Sequence, residues 1–294
     1  MESLPQMSEM RKIEEFKSFW HGEELGPLQW ACIASFLRRG HRFTLYCYED
    51  VHVPDGTVVK NAHDVLPREF LLPLQDQIHA FSDLFRYKLL YDQGGWWVDT
   101  DVLRLTVDFP TLEFVFAEEE DGGVSGGHMR FPAHHPAMEC AFTEALEIGR
   151  NEVWGQSGPV LFDRILERFD LKRFAVKTTL LYPINWAEAF KLWLPQEWDA
   201  IEKRCKNAPW MHMWGSMFKR LGVDLLQKPP EGSYLDRLFH QYPFHKPLIP
   251  ATASDYQRTV DAINNFMLSI LEDARPLLHG FVMPVSLSPM EGHA

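Results

Sequence analysis

Residues 82–101 read Ser82-Asp83-Leu84-Phe85-Arg86-Tyr87-Lys88-Leu89-Leu90-Tyr91-Asp92-Gln93-Gly94-Gly95-Trp96-Trp97-Val98-Asp99-Thr100-Asp101. The first part has helical spacing. The pattern predicts a helix over 76–93 whose buried stripe is Ile78, Phe81, Leu84, Phe85, Leu89 and Leu90, with Asp83, Arg86 and Tyr87 sharing another face. Gly94-Gly95 stops it and removes side chains where backbone or ligand must come close. An apolar run, Trp96-Trp97-Val98, then leads from the interior to Asp99-Thr100-Asp101. On a strand the side-chain period is two, so Asp99 and Asp101 are expected on one face. Taken alone, such a pair is more often two solvated carboxylates. Delivered from a buried strand, it needs a partner for its charge. A hard divalent cation, Mg²⁺ or Mn²⁺, with a diphosphate on its other side, is that partner.

Outward from this stretch, the order of elements is that of an α/β nucleotide-binding fold. Residues 13–21 read as a strand running into Phe19-Trp20-His21-Gly22. Leu28 to Arg39 reads as a helix, with Gly40 behind it, and Phe43 to Tyr48 as a second strand. Strands are expected at 96–103, 114–117 and 127–131, and helices at 135–149, 158–168 and 197–206. Leu180 to Trp186 reads as a short strand. After Gly222 come prolines and two helical patterns, 233–241 and 254–273, the second capped by Ser254. The organisation read from this is a nucleotide-binding domain over 1–221 and a C-terminal helical extension over 222–294.

Composition narrows the partners. Hydrophobic residues make up 46% of 294, enough for a full core. A net charge of −12 speaks against nucleic acid, whose phosphates need a basic groove. It does not exclude an anionic nucleotide, since a bound cation reverses the local sign. Cys32, Cys47, Cys140 and Cys205 form no C-x-x-C pair and read as free thiols in a reducing compartment. Met1 to Lys12 is polar and lacks the apolar stretch of a signal peptide. No run of about 18 apolar residues is present, so no spanning helix is expected. The chain reads as cytoplasmic, with peripheral contact on the inner face of a membrane open to it. Residues 186–220 carry seven aromatics, Trp186 to Phe218, which suit either a membrane-docking face or a buried aromatic helix pair. Glu118 to Asp121 with Gly122-Gly123 reads as a solvated acidic loop.

The run from Phe81 to Val102 resembles the D-x-D sugar-transferase family, which includes fungal initiating mannosyltransferases, α1,4-galactosyltransferases and bacterial polysaccharide enzymes. Phe19 to Gly22 resembles the family's opening strand, and Gly155-Gln156-Ser157-Gly158-Pro159 its segment near the acceptor. Leu181 to Trp186 resembles its late Y-P-x-x-W segment, and Trp210-Met211-His212-Met213-Trp214 its terminal His-Trp motif. The resemblance covers residues 16–220. It implies a GT-A fold, a mixed Rossmann-like sheet flanked by helices, and a metal-dependent retaining transferase. That enzyme would move a hexose from a nucleotide-sugar, a UDP-sugar ahead of a GDP-sugar, to a glycan, glycolipid or protein hydroxyl. By position, Trp20 would stack on the base, Asp83 and Arg86 would hold donor hydroxyls, and Gly94 and Gly95 would flank the donor. Asp99 would touch donor and metal, Asp101 would bind Mn²⁺ or Mg²⁺, and His212 would be a third ligand. A histidine packed in an aromatic helix is the alternative for His212. Trp96-Trp97 departs from the family, which often has an aliphatic residue followed by Tyr. Two other readings stay open: a phosphatase of haloacid dehalogenase type, and a nucleotide-sugar-binding protein without turnover.

Overall fold

The computed structural model describes residues 13–74, 76–105, 108–110, 112–118, 123–149 and 155–274. Met1 to Lys12, and Glu119 to Gly122 of the acidic loop, lie outside them. The strands are β1 (Glu15–Trp20), β2 (Arg42–Cys47), β3 (Val58–Asn61), β4 (Gly95–Val98), β5 (Val102–Arg104), β6 (His128–Phe131) and β7 (Trp210–His212). The helices are α1 (Pro27–Arg38), α2 (Ile78–Gln93), α3 (Pro136–Ile148), α4 (Leu161–Arg168), α5 (Thr178–Leu181), α6 (Trp198–Cys205), α7 (Gly215–Arg220), α8 (Tyr234–Gln241) and α9 (Ala253–Ala274).

Five strands form one sheet in the order β3-β2-β1-β4-β6. β1 to β4 run parallel and β6 antiparallel at the edge. This mixed sheet flanked by helices is the α/β architecture expected from the sequence. Its strands alternate between two cores because successive side chains point to opposite faces. Phe16, Phe43, Leu45, Trp96 and Val98 face a core shared with α1 and α8. Phe19, Tyr46, Trp97, Met129 and Phe131 face a core shared with α2, α3 and α4. Burying each large apolar side chain contributes about 1.5–3 kcal/mol.

Several local expectations change. The apolar run does not continue as one strand over 96–103. β4 ends at Val98, and Asp99–Asp101 forms a turn in which the Val102 N–H donates to the Asp99 carbonyl at 3.1 Å. β5 then pairs with β7 in a separate two-stranded ribbon. Residues 114–117 make no strand. Val115 bridges to Arg130 and Ala117 to Val176, two different partners, so no ladder forms. Residues 180–186 are not a strand either: a helical turn ends at Leu181, and Asn185 caps a 3₁₀ stretch by accepting the Glu188 N–H at 3.1 Å. Ile78 is not in the α2 stripe but 38% exposed, whereas Asp83, Arg86 and Tyr87 are buried, so α2 is packed on nearly every side.

The residues after 222 share the α1-side core. Tyr234, Leu235, Leu238, Phe239, Ile263 and Phe266 pack with Phe218 and Leu221. Phe190, Trp193, Trp210, Trp214 and Phe218 are buried as well, so they present no docking face, and Trp186 is the exposed member of that series. No described helix is long and apolar enough to cross a membrane. The four cysteines are free thiols, three buried and Cys140 half-buried.

Candidate active site

The carboxylates lie at the C-terminal edge of the parallel strands. Asp101 is the most tightly held. Its Oδ2 accepts the Gly215 N–H at 2.7 Å, its Oδ1 lies 3.0 Å from His212 Nε2, and its carbonyl accepts the Met213 N–H at 2.9 Å. These partners arrive from β7 and the start of α7. Register explains the meeting, because Val102 pairs with His212 and the ribbon brings the two ends together. Between them Trp214 takes φ +55°, a region that costs a non-glycine residue of order 1 kcal/mol or more. That bend turns the Gly215 N–H toward Asp101. Trp214 is fixed there by donating its Nε1 hydrogen to the Ile184 carbonyl at 2.8 Å, and its ring lies 4.1 Å from the His212 ring.

Burial works against ionisation of Asp101, but the His212 charge, its hydrogen bond and the Gly215 N–H outweigh it and hold the carboxyl at about 2. Asp99 Oδ1 accepts Trp97 Nε1 at 2.8 Å and lies 3.5 Å from Arg86 Nη2. The Arg86 guanidinium sits 5.3 Å above the Trp97 ring and 3.0 Å from Asp83 Oδ1. Trp97, the departure from the family pattern, thus orients both Asp99 and Arg86. Arg86 is buried, and although burial disfavours its charge, Asp99 and Asp83 raise its pKa. A guanidinium in this setting stays charged.

Asp99, Asp101 and His212 each offer a ligand atom, all within 4.8 Å of one another. Two carboxylate oxygens and one imidazole nitrogen fit a small divalent cation. Gly127 keeps that space open: a Cβ there would lie 3.3 Å from His212 and 3.4 Å from Asp99. Its carbonyl also accepts the Asp99 N–H at 2.8 Å.

Asp83 reaches a second segment. Ser157 Oγ donates to Asp83 Oδ2 at 3.0 Å, and Tyr87 Oη donates to the Ser157 carbonyl at 3.0 Å. α2 thereby holds the 155–159 turn beside the site. Ser157→Ala removes a buried hydroxyl donor to a carboxylate and is expected to cost about 1–2 kcal/mol in urea unfolding. No change in the midpoint would show that the hydroxyl does not restrain Asp83.

The remaining expected residues separate. Trp20 ends β1. Lys17 pairs with Trp97, and continuing that register sets Trp20 level with Thr100, on the same edge as the carboxylates. Its ring is half-buried and its Nε1 has no hydrogen-bond partner among the described residues. Gly94 and Gly95 are at the other end of β4 from Asp99, so they do not flank the carboxylates. Gly94 abuts the backbone of Phe131 and Ala133, and its carbonyl accepts Lys17 Nζ at 3.0 Å. His212 is on a strand, not in an aromatic helix.

Sequence reasoning did not find Gly127, Ser157 as a partner of Asp83, or Gly215. It also missed His128, fully buried, with its ring 6.1 Å from that of His212. Burial above all, and then His212, pushes its pKa well below the ordinary histidine value, so it is neutral. The paired glycines before His128 were the one available signal.

No family model matches the chain. A curated relative, the α-1,4-N-acetylglucosaminyltransferase of Homo sapiens, is 26% identical over 153 residues, 48% of this chain and 44% of that protein. The chain therefore spans less than half the length of that relative. Two solved structures are similar at low scores. The PaToxG glycosyltransferase has a TM-score of 0.43 and 11% identity, covering 86% of this chain and 85% of its own. The UDP-bound glycosyltransferase domain from the YGT toxin has a TM-score of 0.35 and 10% identity, covering 90% and 78%. The fold class rests on the strand order above, not on these likenesses.

Proposed function

We propose that the chain is a metal-dependent retaining glycosyltransferase of GT-A type, moving a hexose from a nucleotide-sugar to a hydroxyl of a glycan, glycolipid or protein. The observation that carries this reading is the convergence of Asp99, Asp101 and His212 within 4.8 Å, with the Arg86 guanidinium beside them. The human relative supports the transferase class, and its name puts a nucleotide-activated N-acetylglucosamine first among donors to try. Asp101 and His212 would hold Mn²⁺ or Mg²⁺, Mn²⁺ being the better match for an imidazole, and Asp99 would be shared between ion and donor. Bound there, the ion would neutralise charge on the departing diphosphate as a Lewis acid.

The chain's own groups supply the rest. Arg86 is a fixed positive charge, oriented by Asp83 and Asp99 before any donor arrives, and such preorganised charge is a large part of rate enhancement. Trp20 would carry the base at the rim. The turn at 155–159, held by Asp83 and Tyr87, would position the acceptor hydroxyl near the anomeric carbon. Asp83 is engaged by Arg86 and Ser157 and so serves orientation, not nucleophilic attack. A front-face displacement needs no carboxylate nucleophile, whereas a two-step path does.

A panel of UDP- and GDP-sugars, assayed for hydrolysis with Mn²⁺ and with EDTA, tests this. Release of nucleoside diphosphate from at least one donor, lost with EDTA, is expected. Phosphate release from simple monoesters without nucleotide-sugar turnover would replace the reading with the phosphatase. Tight UDP binding without turnover across acceptors would replace it with the binding protein.

A further inference from the structure

Arg104 ends β5, opposite Trp210 on the ribbon. It is 2% exposed. Its Nη1 donates to the Pro209 carbonyl at 2.6 Å, and the guanidinium lies 4.6 Å from the centre of the Trp210 ring. Its Nε is buried without a hydrogen-bond partner, and no described carboxylate pairs with it. A buried guanidinium lacking an anion is costly to the fold. Burial, followed by repulsion from Arg39, lowers its pKa to about 9 despite the opposing pull of Asp108.

Arg104 lines a cavity of about 250 Å³ between β5, α6 and α8, where Arg39, Lys206 and Arg237 also stand. Glu202 is the one carboxylate among the lining residues, against four residues that carry a cationic group, so the lining has a surplus of cationic over acidic residues. This occurs in a chain of net charge −12, where a cationic pocket is against the overall trend. Arg39 and Arg104 are drawn together, because Arg39 Nε donates to the Arg104 carbonyl at 3.0 Å. The other lining residues include the aromatics Trp198, Tyr234 and Tyr242 beside the aliphatic Leu103, Leu105 and Leu238. Arg237 lies 4.1 Å from the centre of the Trp198 ring, so a cation and an aromatic surface are presented together.

We propose that this cavity is a binding site for a phosphate monoester carrying an aromatic or apolar body, separate from the carboxylate–histidine cluster. A monoester has close to two negative charges at neutral pH, which suits the surplus better than a single carboxylate. Guanidinium forks match phosphate oxygens two at a time. The planar body would lie against the Trp198 and Tyr242 rings. The proposal does not depend on the transferase reading, since neither Asp99, Asp101 nor His212 lines the cavity.

Calorimetric titration of the full chain in EDTA tests it, with phenyl phosphate as the ligand and inorganic phosphate and benzoate as comparison arms. Phenyl phosphate is expected to bind, about tenfold tighter than either comparison ligand, since each lacks one half of the recognition. Arg237→Glu and Arg39→Ala, both made at residues not fully buried, are each expected to weaken it about tenfold or more. Asp101→Asn should leave this binding unchanged. Absence of binding would overturn the proposal, as would binding undiminished in both arginine variants. So would binding lost in Asp101→Asn, which would place the ligand at the carboxylates, or benzoate binding as tightly as phenyl phosphate. Arg104→Met tests the buried charge directly. If that variant does not fold, the two arginine variants above still decide the outcome.

Discussion

Replacing Asp101 by asparagine is expected to lower Mn²⁺-dependent donor hydrolysis about 10³-fold or more. The substitution keeps the shape of the side chain and removes its charge. An asparagine oxygen can still accept the Gly215 N–H, now 2.7 Å from Asp101 Oδ2. The amide nitrogen would then face His212, where Asp101 Oδ1 now lies 3.0 Å from Nε2. A neutral amide is a poor ligand for a hard dication, and its NH₂ offers no lone pair to one. The structural cost is much smaller. Losing a charge-assisted hydrogen bond is worth about 1.5–3 kcal/mol, which a chain with two extended cores can absorb. Turnover, Mn²⁺ affinity and circular dichroism on the same preparation separate these effects. The expected result is a folded protein with weakened Mn²⁺ binding and almost no turnover. Wild-type turnover in Asp101→Asn would remove Asp101 from the proposed site.

What could be read from the sequence follows the range of the interactions. α2, β1 and β2 carry local periodicity and match the expected spans to within a few residues. Of the strand expected over 96–103 only the start is right, since β4 ends at Val98 and β5 belongs to the separate ribbon. The C-terminal helices were legible for the same reason. β3 was not, since Val58-Val59-Lys60-Asn61 is exposed throughout and has no alternation to read. β5 and β7 are three residues each, and their pairing spans more than a hundred residues of chain, so neither shows a signal alone. That pairing brings His212 and Gly215 to Asp101, and it turned an expected strand pair into a turn. Asp83, Arg86, Asp99 and Asp101 could be named because chemistry marks those residue types in that pattern, and His212 only through the resemblance of residues 210–214 to the family's terminal motif. Gly127 and Ser157 could not, because their part in the site depends on where loops come to rest. Gly94 shows the limit from the other side. A glycine pair announces close approach but does not say whether a ligand or another stretch of backbone approaches.

Gly94→Ala makes that distinction measurable, through stability. Gly94 follows the last turn of α2, its N–H donating to the Leu90 carbonyl at 2.9 Å, with φ 60° and ψ −164°. This part of conformational space is essentially closed to residues with a Cβ and costs of order 1–3 kcal/mol. A Cβ would also fall 2.4 Å from the Ala133 nitrogen and 3.0 Å from both the Ala133 Cα and the Phe131 carbonyl oxygen. All three are backbone atoms, so no side chain can swing aside. Relief requires α2 or the end of β6 to move, and β6 pairs with β4 from Gly95↔Phe131 to Val98↔His128. Gly149 supplies the control. It also has positive φ, 52°, but among the described residues nothing lies within 4 Å of its added Cβ. Gly149→Ala is expected to cost about 1 kcal/mol in urea unfolding, and Gly94→Ala at least about 3 kcal/mol. If the two losses were equal, the contact between Gly94 and residues 131–133 would carry no energy. A larger loss at Gly94 assigns that glycine a part in the join between helix and sheet, one strand length from Asp99.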